Sequence, residues 1–382
     1  MRISEDIKYV GVNDHKVDLF EGQYPVPNGM SYNSYVIVDD KIAVMDTVDK
    51  EFSDEWMNNI HEILEDRTPD YLIMQHMEPD HSASVKVFLS KYPDTKVVAS
   101  ALGFNMLKNL YGDIAENRIV IKEGDTIELG KHTLQFIAAP MVHWPEVMMT
   151  YDTKDHVLFS ADAFGKFGAL DHEEEWACEA RRYYFGIVGK FGMQAQAVLK
   201  KAASLDIQTI CPLHGPVLNE NLSYYLGLYH TWTSYGIENE GVTICYTSVY
   251  GHTKEAALYL AEQLRAYGQH TEVFDLARCD MSEAVESAFQ YGKLVLATTT
   301  YNGDMFSFMK DFIAHLVDHA YQNRTIAFVE NGSWAPTATN CMRNALSSLK
   351  NITYIENNVT IMGAVNETVK DKLKAMAKEL SC

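Results

Sequence analysis

Apolar and polar residues follow two different rhythms along this chain of 382 residues. The first half reads as short β runs broken by turns. Tyr35–Val38 and Ile42–Met45 flank Asp39-Asp40-Lys41 and predict a hairpin. Further apolar runs lie at 71–74, 97–99, 134–138, 157–159 and 207–210. Between them, helical spacing recurs at 51–64, 84–90 and 181–203. Strands first, with helices interspersed, predict an α/β sandwich. The rhythm changes after Tyr235-Gly-Ile-Glu-Asn-Glu-Gly241, placing a domain boundary near residue 238 and predicting domains 1–238 and 239–382. From there strands and helices alternate regularly: strands at 242–247, 271–274, 294–299, 325–329 and 359–362, helices at 253–267, 282–289, 306–320, 335–349 and 367–380. Five strands joined by helices predict a doubly wound parallel sheet.

Composition narrows the function classes. A formal net charge of −20 leaves no basic surplus for neutralising phosphates or an anionic membrane, so neither nucleic acid nor membrane is expected as a partner. The first residues carry acidic and polar groups where a secretory signal needs an apolar core, and a cytoplasmic setting is expected. The six cysteines are scattered without a C-x-x-C pair, which argues against a disulfide framework, a cysteine zinc site or a rubredoxin module in this sequence.

The densest chemistry is Gln75-His76-Met77-Glu78-Pro79-Asp80-His81, directly after an apolar run. His143, Asp162 and His214 also follow apolar runs, so one sheet edge can present all of them. Four imidazoles and three carboxylates suffice to hold two metal ions. The pattern H-x-[EH]-x-D-H followed by His, Asp and His resembles the metallo-β-lactamase superfamily. Its zinc hydrolases have His where this chain has Glu78, and a carboxylate there favours iron. H-x-E-x-D-H is similar to the motif of the flavodiiron proteins, and that resemblance covers the whole chain. It implies an N-terminal metallo-β-lactamase-like αββα sandwich and a C-terminal flavodoxin-like domain. It also implies that one iron is held by His76, Glu78 and His143, the other by Asp80, His81 and His214, with Asp162 bridging. Some members of the family do not use the position of His81. His132, His156 and His172 lack this context and are expected to be surface or turn residues, while Asp171–Glu175 reads as a solvated helix start.

In the second half, Thr247-Ser248-Val249-Tyr250-Gly251-His252-Thr253 joins a strand to a helix. Its hydroxyls, backbone N–H groups and helix end suit a single phosphate. Neither a dinucleotide nor a triphosphate motif is present. Thr298–Gly303 and Asn331–Ala335 end later strands and meet that turn at the carboxyl edge of such a sheet. The arrangement is similar to flavodoxins and implies FMN. Tyr301 and Trp334 are the expected stacking residues, with Thr300, Asn302, Gly303, Asn331, Gly332 and Ser333 around the ring.

Together, the resemblance implies an oxidoreductase with FMN and two iron ions. It would reduce dioxygen to water, the preferred reading, or nitric oxide to nitrous oxide. Rubredoxin is the implied external donor, and a head-to-tail homodimer or dimer of dimers the implied assembly. A zinc hydrolase fused to a flavodoxin is the rival reading; Glu78 and the appended redox domain argue against it.

Overall fold

The computed structural model describes residues 3–382, which divide into two compact units, one ending at His230 and the other running Thr231–Cys382. In the first unit two sheets pack face to face. One has six strands in the order Ile7–Tyr9, Tyr35–Val38, Ile42–Met45, Tyr71–Ile73, Lys96–Ser100, Arg118–Ile121. The other has five in the order Thr126–Glu128, Thr133–Ala138, Met148–Asp152, Val157–Phe159, Thr209–Cys211. The expected hairpin forms, with Val38 opposite Ile42. Ile37, Met45, Ile73 and Val98 of the first sheet meet Leu134, Phe136, Met148 and Phe159 of the second in one buried core.

The helix Ser53–Leu64 buries Trp56, Ile60 and Leu64, the i, i+4, i+8 stripe that its sequence spacing requires. Trp56 packs its ring 5.6 Å from that of Phe88 on the helix Val85–Lys91. The expected helical stretch 181–203 is interrupted. Trp176–Tyr183 passes into a π turn at Tyr184–Val188 and a 3₁₀ turn at Gly189–Phe191 before Gly192–Ala202 resumes. Gly186 sits in the π turn with its carbonyl accepting from Tyr24 Oη at 2.9 Å. A Cβ there would meet the Tyr24 ring at 2.9 Å, so the close approach requires glycine.

Strand directions explain why chemistry gathers at one edge. Tyr71–Ile73 runs parallel to both its neighbours. Thr133–Ala138 and Val157–Phe159 are each antiparallel to Met148–Asp152, hence parallel in direction to one another, and Val157–Phe159 is parallel to Thr209–Cys211. Met148 N–H donates to Gln75 O at 3.0 Å and ties the two sheets where these strands end.

The second unit is a parallel sheet with strand order Thr271–Asp275, Asn239–Tyr246, Tyr291–Tyr301, Thr325–Asn331 and a fifth position shared by Thr353–Tyr354 and Val359–Ile361. This is the 2-1-3-4-5 order of flavodoxin-like sheets. The helices His252–Ala266 and Glu367–Leu380 bury Leu260, Leu264, Leu373 and Met376 against Ile244, Val295, Ala327 and Val329. The Arg324 guanidinium is buried and donates to the carbonyls of Tyr235, Gly236, Phe289 and Tyr291. Among the described residues no helix is long and apolar enough to cross a membrane.

Candidate metal centre and flavin pocket

Four strand ends in the first unit deliver seven side chains to one place. The residues after Tyr71–Ile73 turn at Pro79 into a single helical turn, Pro79–Ser82, which brings Asp80 and His81 back beside His76 and Glu78. The loops after Thr133–Ala138, Val157–Phe159 and Thr209–Cys211 add His143, Asp162 and His214. Asp46, Met141 and Ala161 hold positive φ angles of 54, 65 and 50° in or beside these loops, the sharp turns that such a constellation demands.

The seven fall into two groups around one carboxylate. On one side, His76 Nε2 and His143 Nε2 lie 3.2 and 3.0 Å from Glu78 Oε2, and 3.3 and 3.1 Å from Asp162 Oδ2. On the other, His81 Nε2 and His214 Nε2 each lie 3.3 Å from Asp80 Oδ2 and 3.0 Å from one another. Asp162 Oδ1 faces these two imidazoles at 3.3 and 3.7 Å. Both carboxylate oxygens of Asp80 and of Asp162 are buried without a hydrogen-bond partner. Such atoms are costly to bury unless a cation or donor satisfies them. Separations near 3 Å are those of atoms sharing an ion through bonds of about 2.0–2.2 Å. The donor set therefore fits two metal ions, and its three carboxylates suit iron.

Charge compensation is strong. Burial alone would raise the Asp162 carboxyl, but His76, His143 and His81 hold it well below the usual carboxylate range. Burial opposes protonation of His143, yet the carboxylates of Asp162 and Glu78 close beside it raise it to about 9.

Supporting groups, which carry no motif of their own in the sequence, fix the ligands. Asp46 accepts from Gln75 N–H at 2.7 Å, Gln75 Nε2 at 2.9 Å and His76 N–H at 3.3 Å; burial lifts its carboxyl to about 6 against those bonds. Glu146 accepts from Met77 N–H and pairs with His76 Nδ1, both at 2.9 Å. His214 Nδ1 lies 2.7 Å from Ser31 O. Phe20 and Tyr183 wall the His214 ring at 5.3 and 5.6 Å, and Trp144 stands edge-on to His76 at 5.2 Å. The one sequence signal for Glu146 is its place in His143-Trp-Pro-Glu146, three residues after a candidate ligand.

One expectation needs correction. His132 is not a surface histidine: it is fully buried, with Nδ1 3.0 Å from Asp152 Oδ1. Lys154 Nζ joins this cluster 2.7 Å from Asp6 and 3.1 Å from Asp155, so a lysine already supplies its cation. The acidic run 171–175 is mostly exposed and leads into the helix Trp176–Tyr183 with Glu175 at its N-cap, while Glu174 pairs with buried Lys166 and with Asn28.

In the second unit, three loops at the carboxyl edge enclose a cavity of about 540 Å³. Its walls are residues 248–250, 252–253, 299–303, 331–335 and 337, with Gly363. All flavin-binding candidates line it except Thr247 and Gly251. Thr247 lies buried beneath, its hydroxyl 2.6 Å from that of Thr298. Gly251, at φ 97°, caps the helix His252–Ala266. The N–H groups of that first turn, with Ser248 and Thr253, have the chemistry that suits a phosphate. Asn302 and Gly303, at φ 52 and 73°, make the tight turn that pairs Tyr301 with Asp304. Tyr250 and Trp334 stand 90 and 89 % exposed at the mouth. Hydroxyls and a helix end below, with aromatic rings above, fit a flavin mononucleotide.

Fold and sites together define a two-domain redox protein, a β-lactamase-type metal domain followed by a flavodoxin domain. The family model for ODP family beta lactamases matches residues 30–215, and that for a flavodoxin domain matches 243–378. The anaerobic nitric oxide reductase flavorubredoxin of Salmonella paratyphi A is 28 % identical over 357 residues, covering 90 % of this chain and 74 % of that protein. The flavodiiron protein of Giardia intestinalis superposes with a TM-score of 0.93 at 25 % identity over 99 % of this chain and 95 % of that one. Rubredoxin oxygen:oxidoreductase of Desulfovibrio gigas shares the fold, with a TM-score of 0.91 at 23 % identity over 100 and 97 %. The chain belongs to the flavodiiron proteins, oxidoreductases that carry FMN and a diiron centre.

Proposed function

We infer that the chain reduces dioxygen to water, with nitric oxide reduction to nitrous oxide as the alternative, in a cytoplasmic setting. Electrons come from an external donor, rubredoxin being the candidate. The observation that carries this reading is Asp162, whose two oxygens face two separate histidine–carboxylate groups. On this reading His76, Glu78 and His143 would hold one iron and Asp80, His81 and His214 the other, with Asp162 shared between them. When bound, FMN and two irons supply stored electrons, two and one each, matching the four that dioxygen consumes with four protons to give two waters.

The chain's own residues prepare the site. Phe20, Trp144 and Tyr183 exclude water beside the ligands. Burial holds the Tyr183 hydroxyl protonated, and its oxygen has no hydrogen-bond partner. It is therefore a donor available to a small polar guest. The turn 248–253 would hold the flavin phosphate, and Tyr301 and Trp334 would flank the ring. The exposed apolar surface of Val249, Tyr250 and Trp334 supports a head-to-tail pair or a dimer of such pairs, in which a second copy covers the flavin mouth.

The test is anaerobic: the iron-loaded protein is fully reduced and mixed with each gas while flavin and iron spectra are recorded. Rapid, repeated reoxidation by dioxygen without peroxide supports dioxygen as substrate. Inactivation by dioxygen with sustained nitrous oxide from nitric oxide assigns the alternative. Failure of both gases to reoxidise the protein overturns the reading.

A further inference from the structure

The two candidate metal positions are supported unequally, and Glu146 makes the difference. Its side chain is 1 % exposed. Oε1 accepts from Met77 N–H at 2.9 Å and lies 2.9 Å from His76 Nδ1. A carboxylate oxygen only accepts hydrogen bonds. His76 Nδ1 must therefore carry the proton in the second, which leaves the Nε2 lone pair for the side of Glu78 and Asp162. Glu146 Oε2 is buried without a partner, so apart from the Met77 amide the carboxylate serves His76 alone. The other position lacks such backing. His214 Nδ1 meets a neutral backbone carbonyl, Ser31 O, at 2.7 Å, and His81 Nδ1 is buried without a partner.

A carboxylate behind an imidazole raises its basicity and fixes its orientation more firmly than a carbonyl does. We propose that Glu146 is a positioning residue that makes the His76–Glu78–His143 position the tighter of the two metal sites. This rests on the two-metal reading above. The same carboxylate pins the Met77 backbone between two ligands of that position, His76 and Glu78. Losing it loosens one metal position and not the other.

The experiment uses the full chain with its metals removed and cobalt(II) as the probe, read by visible absorption and equilibrium titration. Wild type binds two ions per chain in resolvable steps. Glu146→Gln keeps the shape and an acceptor oxygen but removes the charge, which also guards against misfolding that Glu146→Ala could cause. It weakens one step by about 10–100-fold. The assignment comes from two backgrounds. With His214→Ala, which disables the other position, Glu146→Gln weakens the remaining site by that factor. With Glu78→Ala it changes the remaining affinity less than about twofold. Equal losses in both backgrounds would reduce Glu146 to a general structural role, and no loss in either would remove it from the site; both overturn the proposal. Fewer than two cobalt ions in wild type would overturn the two-metal reading itself, a failure seen before any Glu146 variant is compared.

Discussion

The two sites are built on opposite principles. At the metal edge, His76 and His81 are fully buried, and Asp162 and His214 are 1 % exposed. Every imidazole there is placed by a carboxylate or a neighbouring ring. At the flavin edge, backbone turns and hydroxyls line the cavity, and Tyr250 and Trp334 stand in solvent. A buried cluster of charges is stable only if each member is compensated, so its geometry depends on residues far apart in sequence. A phosphate cradle needs only the start of a helix and a short loop, so its geometry is local. One site is made rigid by what surrounds it, the other by its own chain path.

The contrast can be broken from the metal side with the largest effect. Asp162→Ala removes the group that both halves share. Because loss of a mere supporting partner costs about 10–100-fold, this variant should lower metal affinity by more than about 100-fold and abolish turnover. Flavin content, measured by absorbance, should stay at wild-type level. Metal content of two per chain in Asp162→Ala would contradict the shared-ligand geometry.

Arg324→Met tests the flavin unit's framework. It strips several buried carbonyls of their donor, each worth about 1–3 kcal/mol when left unsatisfied. Chemical denaturation followed by flavin fluorescence should show a loss of roughly 3 kcal/mol or more. Iron content should be unchanged if the two units keep separate scaffolds.

Trp334→Ala should leave stability within about 0.5 kcal/mol, as expected for an exposed side chain. It should weaken flavin binding by about 2–10-fold, the worth of one aromatic contact. An unchanged flavin affinity together with a weakened dimer would move Trp334 from the ring to the subunit contact.

The smallest effect is on acid stability. A hydrogen bond from Lys154 holds the Asp6 carboxyl at about 2, below its ordinary 3.8. Its contribution is therefore complete above about pH 4 and is lost as pH falls toward 2. His132 works in the other direction. Burial opposes its protonation, but Asp152 and Asp6 raise it above 6.5, so its contribution is complete below that value and is lost as pH rises through the raised one. Lys154→Met should move acid unfolding to higher pH and cost at most about 1 kcal/mol near neutrality. Thermal melts across this range would check the sign.

The same contrast explains what the sequence made legible. The candidate ligands each follow an apolar run, and parallel strand directions carry such positions to one edge, so the sequence pattern alone groups seven scattered residues. The strand-to-helix turn at 247–253 is equally visible, because a local motif needs no distant partner. Glu146 and Asp46 are not: their meaning lies in accepting from Met77 and Gln75, contacts that span 69 and 29 residues. His132 misleads for the same reason, since Asp6 and Asp152 reach it from other parts of the chain. Periodicity also runs straight through 181–203, where a π turn that no spacing rule foresees packs against Tyr24. The last strand of the second unit's sheet reads as one run, but Glu356–Asn358 divide the position it shares with Thr353–Tyr354.

The grip of Arg324 on Tyr235 and Gly236 has a practical consequence for dissecting the chain. Those carbonyls precede the first strand of the parallel sheet, yet they satisfy a charge buried within it. A C-terminal fragment cut at Asn239 would leave the guanidinium short of two acceptors, whereas one beginning at Thr231 would keep them. Any attempt to express, swap or transplant the flavodoxin portion should therefore carry residues 231–238 as part of the cargo, not as spare linker.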